Sequence, residues 1–143
     1  MTCFWDGIIK VLSNADKEKL GFGVDEKLTP LKLLQRLKAL NTTPKCKWQG
    51  FFLGDKQLEE HFEDVKNYDV SVLSCGHLTA ACDSFLLLVC TLLNVKIVHD
   101  FAGHELVYES DDPPLRSTWN FRSSRTHFQF VSKKDTPCGE IFS

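Results

Sequence analysis

A thiol opens the stretch CFWDGIIKVL (residues 3–12), and the apolar face of a helix follows it. Trp5, Ile8 and Leu12 recur at the three- and four-residue spacing of an amphipathic helix. Burial of that face leaves Cys3 at the helix N-terminus, where backbone N–H groups stabilise a thiolate and can hold an oxyanion. An isolated cysteine is more often a small buried hydrophobe. A nucleophilic role for Cys3 therefore requires a basic partner elsewhere in the chain.

A histidine begins a strand near the other end of the chain. His127 follows the polar turn at 123–126 and precedes the apolar Phe128, Phe130 and Val131. This pattern predicts a strand that fixes the backbone of His127 while its ring faces a cleft. Alone, His127 is equally well explained as a half-exposed strand residue. Together, a helix-borne cysteine and a strand-borne histidine are the two groups that nucleophilic cysteine catalysis needs.

Composition sets the class of protein. The 143 residues suffice for one well-buried core and are too few for two ordinary domains, so we expect a single domain over 1–143. Lys and Arg total 17 against 19 Asp and Glu, and neither sign forms a long block, which argues against a nucleic-acid surface. The most apolar run, 85–93, is too short to span a bilayer, and no secretory signal is recognisable.

Six cysteines are present without the regular spacing of a disulfide framework: Cys3, Cys46, Cys75, Cys82, Cys90 and Cys138. In the absence of a signal peptide we expect reduced thiols in a cytoplasmic protein, with Cys82 and Cys90 buried. Cys75 and His77 could ligate zinc, but no second Cys or His pair at zinc-site spacing accompanies them. We therefore predict no metal and no cofactor.

The order of predicted elements places helices first and strands last. Helices are expected over 3–12, from Thr29-Pro30 to Leu40, over 55–66 and over 84–93, where Asp83 is the cap; 17–23 is interpreted as a connector. Strands are expected over 95–98, 106–108, 117–121 and 127–131. This order predicts an α+β domain with N-terminal helices packed on a C-terminal antiparallel β-sheet. Trp48 and Trp119 could line a groove, although core packing suits both better.

Four segments together carry a resemblance to a known class. Cys3-Phe4-Trp5 opens a helix, Asp83–Leu88 and Leu93–Ile97 lead from an apolar helix into a strand, and His127-Phe128 opens a late strand. The chain thus resembles the ovarian-tumour-domain (OTU) cysteine proteases, and it is similar also to viral papain-like and leader proteases. The resemblance implies a papain-like/OTU-like fold with Cys3 as the nucleophile and His127 as its base. The small size fits a viral version cut from a polyprotein.

The chain departs from that family at two positions. Family members usually have Asp or Asn a few residues before the nucleophile, whereas only Met1 and Thr2 precede Cys3 here. Either the domain begins upstream or backbone groups alone hold the oxyanion. The third catalytic residue is often Asp or Asn two positions after the histidine, and Gln129 stands there. We favour Gln129 as the orienting residue, with Asp135 or Glu140 as alternatives.

The function implied by the resemblance is that of a thiol protease, a hydrolase of peptide or isopeptide bonds. Its substrate would be a viral polyprotein, ubiquitin or a ubiquitin-like protein, which would make it a deubiquitinase. The alternative is an inactive protease-fold domain that binds a host protein. We expect a monomer in the cytoplasm, the host cytoplasm for a viral protein, with no membrane and no nucleic-acid partner.

Overall fold

Five α-helices and six β-strands occur in the part of the chain that a computed structural model describes, residues 3–71, 80–112, 114–124 and 127–136. The helices are α1 (Cys3–Val11), α2 (Asn14–Lys19), α3 (Pro30–Ala39), α4 (Asp55–Lys66) and α5 (Ala80–Leu93). The strands are β1 (Cys46–Trp48), β2 (Phe51–Phe52), β3 (Lys96–Phe101), β4 (His104–Ser110), β5 (Ser117–Ser123) and β6 (Phe128–Asp135). The predicted α+β class is confirmed.

The six strands form one mixed sheet in the order β2-β1-β4-β3-β5-β6. The expectation of a purely antiparallel C-terminal sheet is wrong in two respects. Strands β3 and β5 are parallel neighbours, with Ile97 opposite Trp119, and β1 and β2 come before α4 in the chain. The parallel pair arises because the connection after β4 returns to the start of β3. There the backbone N–H of Arg116 donates to the carbonyl of Asn94, so β5 starts level with β3.

The core lies between the helices and one face of the sheet. Helix α5 is its centre, because residues 85–90 are all buried. Alternate positions of β5, including Trp119 and Phe121, point into this layer, as a strand with one covered face requires. Helix α1 covers the β6 end of the same face through Phe4 and Ile8. The two helices that bear the resemblance therefore share one hydrophobic layer.

A short helix replaces the connector expected after α1. Ser13 caps α2, since its Oγ accepts from the Asp16 N–H at 3.2 Å while Asp16 Oδ2 accepts from the Ser13 N–H at 2.9 Å. Such a capping box satisfies two otherwise unpaired N–H groups. This reciprocal pair explains why a six-residue helix forms here and continues over 17–19, the first part of the segment that the sequence pattern assigned to a connector.

Most predicted elements are present, with shifted ends. Helix α3 starts as predicted, with the Thr29 side chain accepting from the Lys32 N–H at 3.2 Å and Pro30 in the first turn. Helix α4 has Gly54 rather than Asp55 as its N-cap. Helix α5 begins before its predicted cap Asp83, and β3 to β6 each extend beyond the predicted strands. Element ends depend on pairing across the sheet, which a local pattern does not contain.

Candidate active site

A groove of about 390 Å³ lies between α1 and β6. One wall is a flank of α1, and the other is the first half of β6 with the residue before it. The nine lining residues are Cys3, Asp6, Gly7, Ile9, Lys10, His127, Phe128, Gln129 and Phe130. The structure therefore brings Cys3 into one groove with His127 and Gln129, which follow it by more than 120 positions in the sequence.

Packing of α1 fixes the position of Cys3. The ring of Phe4 lies 4.9 Å from that of Phe128 on β6, and the ring of Trp5 lies 4.9 Å from that of Phe85 on α5. Both α1 side chains are buried, with at most 5% of their surface exposed. The first turn of α1 is thus held between β6 and α5. Cys3, the first residue of α1, is partly buried and faces the groove.

Gly7 allows α1 to approach β6 closely. A Cβ atom at this position would lie 2.9 Å from Cε1 of Phe128, which is closer than van der Waals contact permits. The Phe128 ring is itself buried against Phe4 and Phe121, so it has little room to move. Any side chain at Gly7 would push the two walls of the groove apart.

The backbone around His127 is fixed although its side chain is exposed. The Ser124 N–H donates to the His127 carbonyl at 2.8 Å, which closes the β5–β6 hairpin. The next residue, Phe128, is 2% exposed and anchors the strand in the core. This arrangement, a fixed backbone with an accessible ring, is the one predicted for a histidine at the start of a strand.

The three candidates for the orienting residue differ in location. Gln129 lines the groove two positions after His127, with its side chain exposed. Asp135 pairs with Ser117 at the opposite end of β6, eight residues and about 26 Å of extended strand from His127. The alternative assignment of Asp135 is therefore wrong. Glu140 lies outside the described residues.

Sequence reasoning missed two charged groove residues, Asp6 and Lys10. They follow Cys3 by three and seven positions, a spacing that places all three on one flank of a helix. Asp6 is a carboxylate on the wall of the groove that bears the thiol. The helical spacing counted from Cys3 was the signal that could have identified both residues.

Other polar clusters lie away from the groove. His61 Nδ1 is 2.8 Å from Ser84 Oγ, and Ser84 donates to Asp64 at 3.0 Å. Because the hydroxyl proton points at Asp64 and Ser84 is fully buried, this trio stabilises the α4–α5 contact and is no serine nucleophile. His61 is half-buried on the side of α4 that packs against α5.

Both tryptophans considered as groove walls pack elsewhere. Trp119 is fully buried in the core, and Trp48 stacks on Tyr108 at the other end of the sheet. The groove-wall assignment is therefore wrong for each, and the expectation of core packing holds. Burial, together with the neighbouring Asp83 carboxylate, raises the pKa of Tyr108 far above its ordinary value, so this phenol remains a hydrogen-bond donor to Asp83.

Burial shifts the pKa of two further interior groups, Cys90 and His99. Burial raises the pKa of Cys90, which is fully buried as predicted, whereas Cys82 is only partly buried. Burial likewise lowers the pKa of His99, against the opposing effect of Asp83 and Asp100. None of these side chains lines the α1–β6 groove.

The described ranges contain neither a candidate metal site nor a candidate membrane-spanning helix. No group of three or more His, Cys, Asp or Glu side chains there has a geometry that could hold a metal ion. Cys75 and His77, the zinc ligands considered from the sequence, lie outside those ranges. No helix in the described part of the chain has the length and apolarity needed to cross a bilayer.

Comparison with known proteins gives no relative. No protein family, no curated protein and no solved structure matches the chain. The groove and its residues are therefore the features that indicate a function.

Proposed function

We propose that the protein is a cysteine peptidase that hydrolyses peptide or isopeptide bonds, with Cys3 as nucleophile and His127 as general base and acid. One observation carries the proposal: Cys3 at the start of α1 and His127 immediately before β6 line the same groove. A thiol at a helix N-terminus opposite an accessible imidazole is the arrangement that nucleophilic cysteine catalysis uses. It also agrees with the resemblance to OTU-like and viral papain-like proteases.

The reaction proceeds in two halves. His127 takes the thiol proton, Cys3 Sγ attacks the carbonyl carbon, and N–H groups at the start of α1 hold the oxyanion. His127 then gives its proton to the leaving nitrogen as the C–N bond breaks, which leaves a thioester on Cys3. Water, deprotonated by His127, attacks the thioester and releases the acid, so the thiol is regenerated.

Two groove residues can orient the imidazole. The Gln129 side chain offers an amide oxygen that accepts a hydrogen bond but carries no charge. The Asp6 carboxylate would also stabilise the imidazolium formed during the reaction. Asp6→Asn and Gln129→Ala assign the role, because the orienting residue should lower kcat with little change in KM.

Turnover of a peptide substrate tests the proposal. Cys3→Ala and His127→Ala should each lower kcat/KM by at least 1,000-fold while thermal unfolding stays unchanged. Cys82→Ala and His104→Ala are matched controls, because neither residue lines the groove, and both should retain activity. Full turnover by either groove variant would disprove the assignment. A ubiquitin probe with a C-terminal electrophile identifies the substrate class, since a deubiquitinase forms an adduct at Cys3.

A protease-fold binding module is the second candidate. Phe51 and Phe52 in β2 are 76% and 70% exposed, and adjacent exposed aromatics are typical of contact surfaces. The Lys47 ammonium lies 4.9 Å from the Phe52 ring, which leaves that ring accessible. A binding module would lose partner binding in Phe51→Ser and keep it in Cys3→Ala. A peptidase would instead lose turnover in Cys3→Ala and keep it in Phe51→Ser.

A further inference from the structure

The outer edge of β6 borders the groove. Among the described strands β6 stands last in the sheet order, so in the described part of the chain no strand pairs with its side away from β5. Such an edge presents backbone N–H and C=O groups at every second residue. Four successive residues, 127–130, line the groove.

Two hydrogen bonds show which residues at the start of β6 turn their backbone groups toward β5 and which turn them outward. The Ser124 N–H donates to the His127 carbonyl at 2.8 Å, which makes these two residues a hydrogen-bonded pair. The Ala102 N–H donates to the Ser123 carbonyl at 3.0 Å, so that carbonyl faces β3 rather than β6. Pairs in an antiparallel ladder alternate between hydrogen-bonded and non-hydrogen-bonded. The neighbouring pair, Ser123 and Phe128, is therefore non-hydrogen-bonded.

The alternation identifies the backbone N–H and C=O groups of β6 that face outward. Phe128 opposite Ser123 and Phe130 opposite Phe121 occupy non-hydrogen-bonded positions. Their N–H and C=O groups point away from β5, toward the outer edge. Gln129 lies between them at a hydrogen-bonded position, so its N–H points to β5 instead.

The groove beside these groups is bordered by Gly7 of helix α1. A Cβ atom on Gly7 would lie 3.8 Å from the Phe130 nitrogen, so the helix flank nearest this N–H is bare backbone. Ile9 and Lys10 line the groove further along the helix, and Cys3 and His127 are the first residues of its two walls. A chain lying along the edge would thus pass the reactive thiol.

We propose that the groove binds an extended polypeptide segment as an added strand on β6, through the main-chain groups of Phe128 and Phe130. That the segment is the substrate rests on the proposed peptidase function. From 127 to 130 the edge spans about 10 Å, enough for three or four extended residues. Main-chain pairing selects an unfolded loop or tail rather than a folded helix and tolerates many sequences. Side chains directed at α1 would meet Ile9, Lys10 and Asp6.

A proline substitution tests the Phe130 amide. Phe130→Pro removes the outward N–H without removing a bond to β5, and edge strands accept proline at such positions. Phe130→Ala is the matched variant, because it loses the same ring and keeps the N–H. With a pool of fluorogenic tetrapeptide amides, Phe130→Pro should have a kcat/KM at least tenfold below that of Phe130→Ala. Equal values in two folded variants overturn the proposal.

Amide hydrogen exchange tests the pairing without turnover and without the proline variant. Cys3→Ala protein is titrated with a pool of acetylated hexapeptide amides of random sequence at millimolar concentration. Exchange at Phe128 and Phe130 should slow at least fivefold, while Gln129, already bonded to β5, should not change. Unchanged exchange at Phe128 and Phe130, or slowing only near Phe51, overturns the proposal. Slowing at the predicted amides with no turnover by the wild-type protein would refute the peptidase function and leave the pairing intact.

Discussion

Gly7 sets the width of the groove through the side chain that it lacks. Helix α1 contacts β6 over Phe128, and a methyl group at position 7 would lie 2.9 and 3.0 Å from two atoms of that ring. The ring is 2% exposed and packs on Phe4 and Phe121. Glycine in a helix costs about 1 kcal/mol relative to alanine, so its presence here is explained by this contact.

Gly7→Ala should therefore destabilise the protein although alanine is the better helix former. The gain of about 1 kcal/mol in helix propensity is opposed by an overpacking cost of about 1–3 kcal/mol. We expect a net loss of about 1 kcal/mol in the free energy of urea unfolding. Gly23→Ala is the control, because its nearest neighbour would be 3.8 Å away, and it should change little. A Gly7→Ala protein more stable than wild type would contradict this account.

Local sequence patterns predicted some groove residues and missed others. Cys3 and His127 were identifiable because each stands at the start of an apolar helix or strand pattern. Their common groove was not, because it depends on how α1 packs against β6. Asp135 was an alternative orienting residue in the sequence, and it is excluded because it lies at the opposite end of β6 from His127. Asp6 became relevant only when the flank of α1 that faces β6 was known.

Helix α2 is tied to two other parts of the fold by a buried carboxylate. Asp16 is 1% exposed, and its oxygens lie 2.9 Å from Arg116 Nη1 and 2.9 Å from Lys133 Nζ on β6. Lys133 also donates to the Val11 carbonyl at the end of α1, at 3.0 Å. Burial opposes ionisation of Asp16, but the Ser13 N–H and the two cations outweigh it and hold the pKa below its usual value.

Asp16→Asn should cost about 3 kcal/mol of stability, because two cations lose their buried counter-charge. The effect depends on pH. Since the folded-state pKa is lowered, the stabilisation is present above about pH 4 and is lost as the pH falls through the folded-state value. The free energy of unfolding, measured in urea from pH 7 to pH 2, should therefore fall more steeply in wild type than in Asp16→Asn. Asp69→Asn is an exposed control, and equal stability of wild type and Asp16→Asn at pH 7 would contradict the argument.

Helices were more predictable than strand pairings. Thr29-Pro30 specifies the start of α3 through local cap chemistry, and the apolar run from Phe85 identifies α5. The capping box of α2 was also present locally, in Ser13 and Asp16, but charged neighbours obscured it. Strand ends and the membership of β1 and β2 depend on partners distant in sequence, which no local pattern encodes.

The sheet order places β6 beside helix α1. Strand β5 lies on the side of β3 away from β4, and β6 stands at the end of the described sheet, where α1 packs against it. A simple meander in chain order would have placed β4 between β3 and β5. The parallel pairing of β3 with β5, which the sequence pattern missed, goes together with the pairing of β4 with β1, which occupies the other side of β4.

Iodoacetamide alkylation, followed for each cysteine by mass spectrometry, tests most directly whether Cys3 and His127 act as a pair. In wild type Cys3 should react at least tenfold faster at pH 6 than an ordinary thiol, whereas the buried Cys46 and Cys90 should react slowly. His127→Ala should remove this advantage, and His104→Ala should keep it. Reaction of Cys3 at the rate of an ordinary thiol, unchanged in His127→Ala, would contradict the proposed catalytic pair.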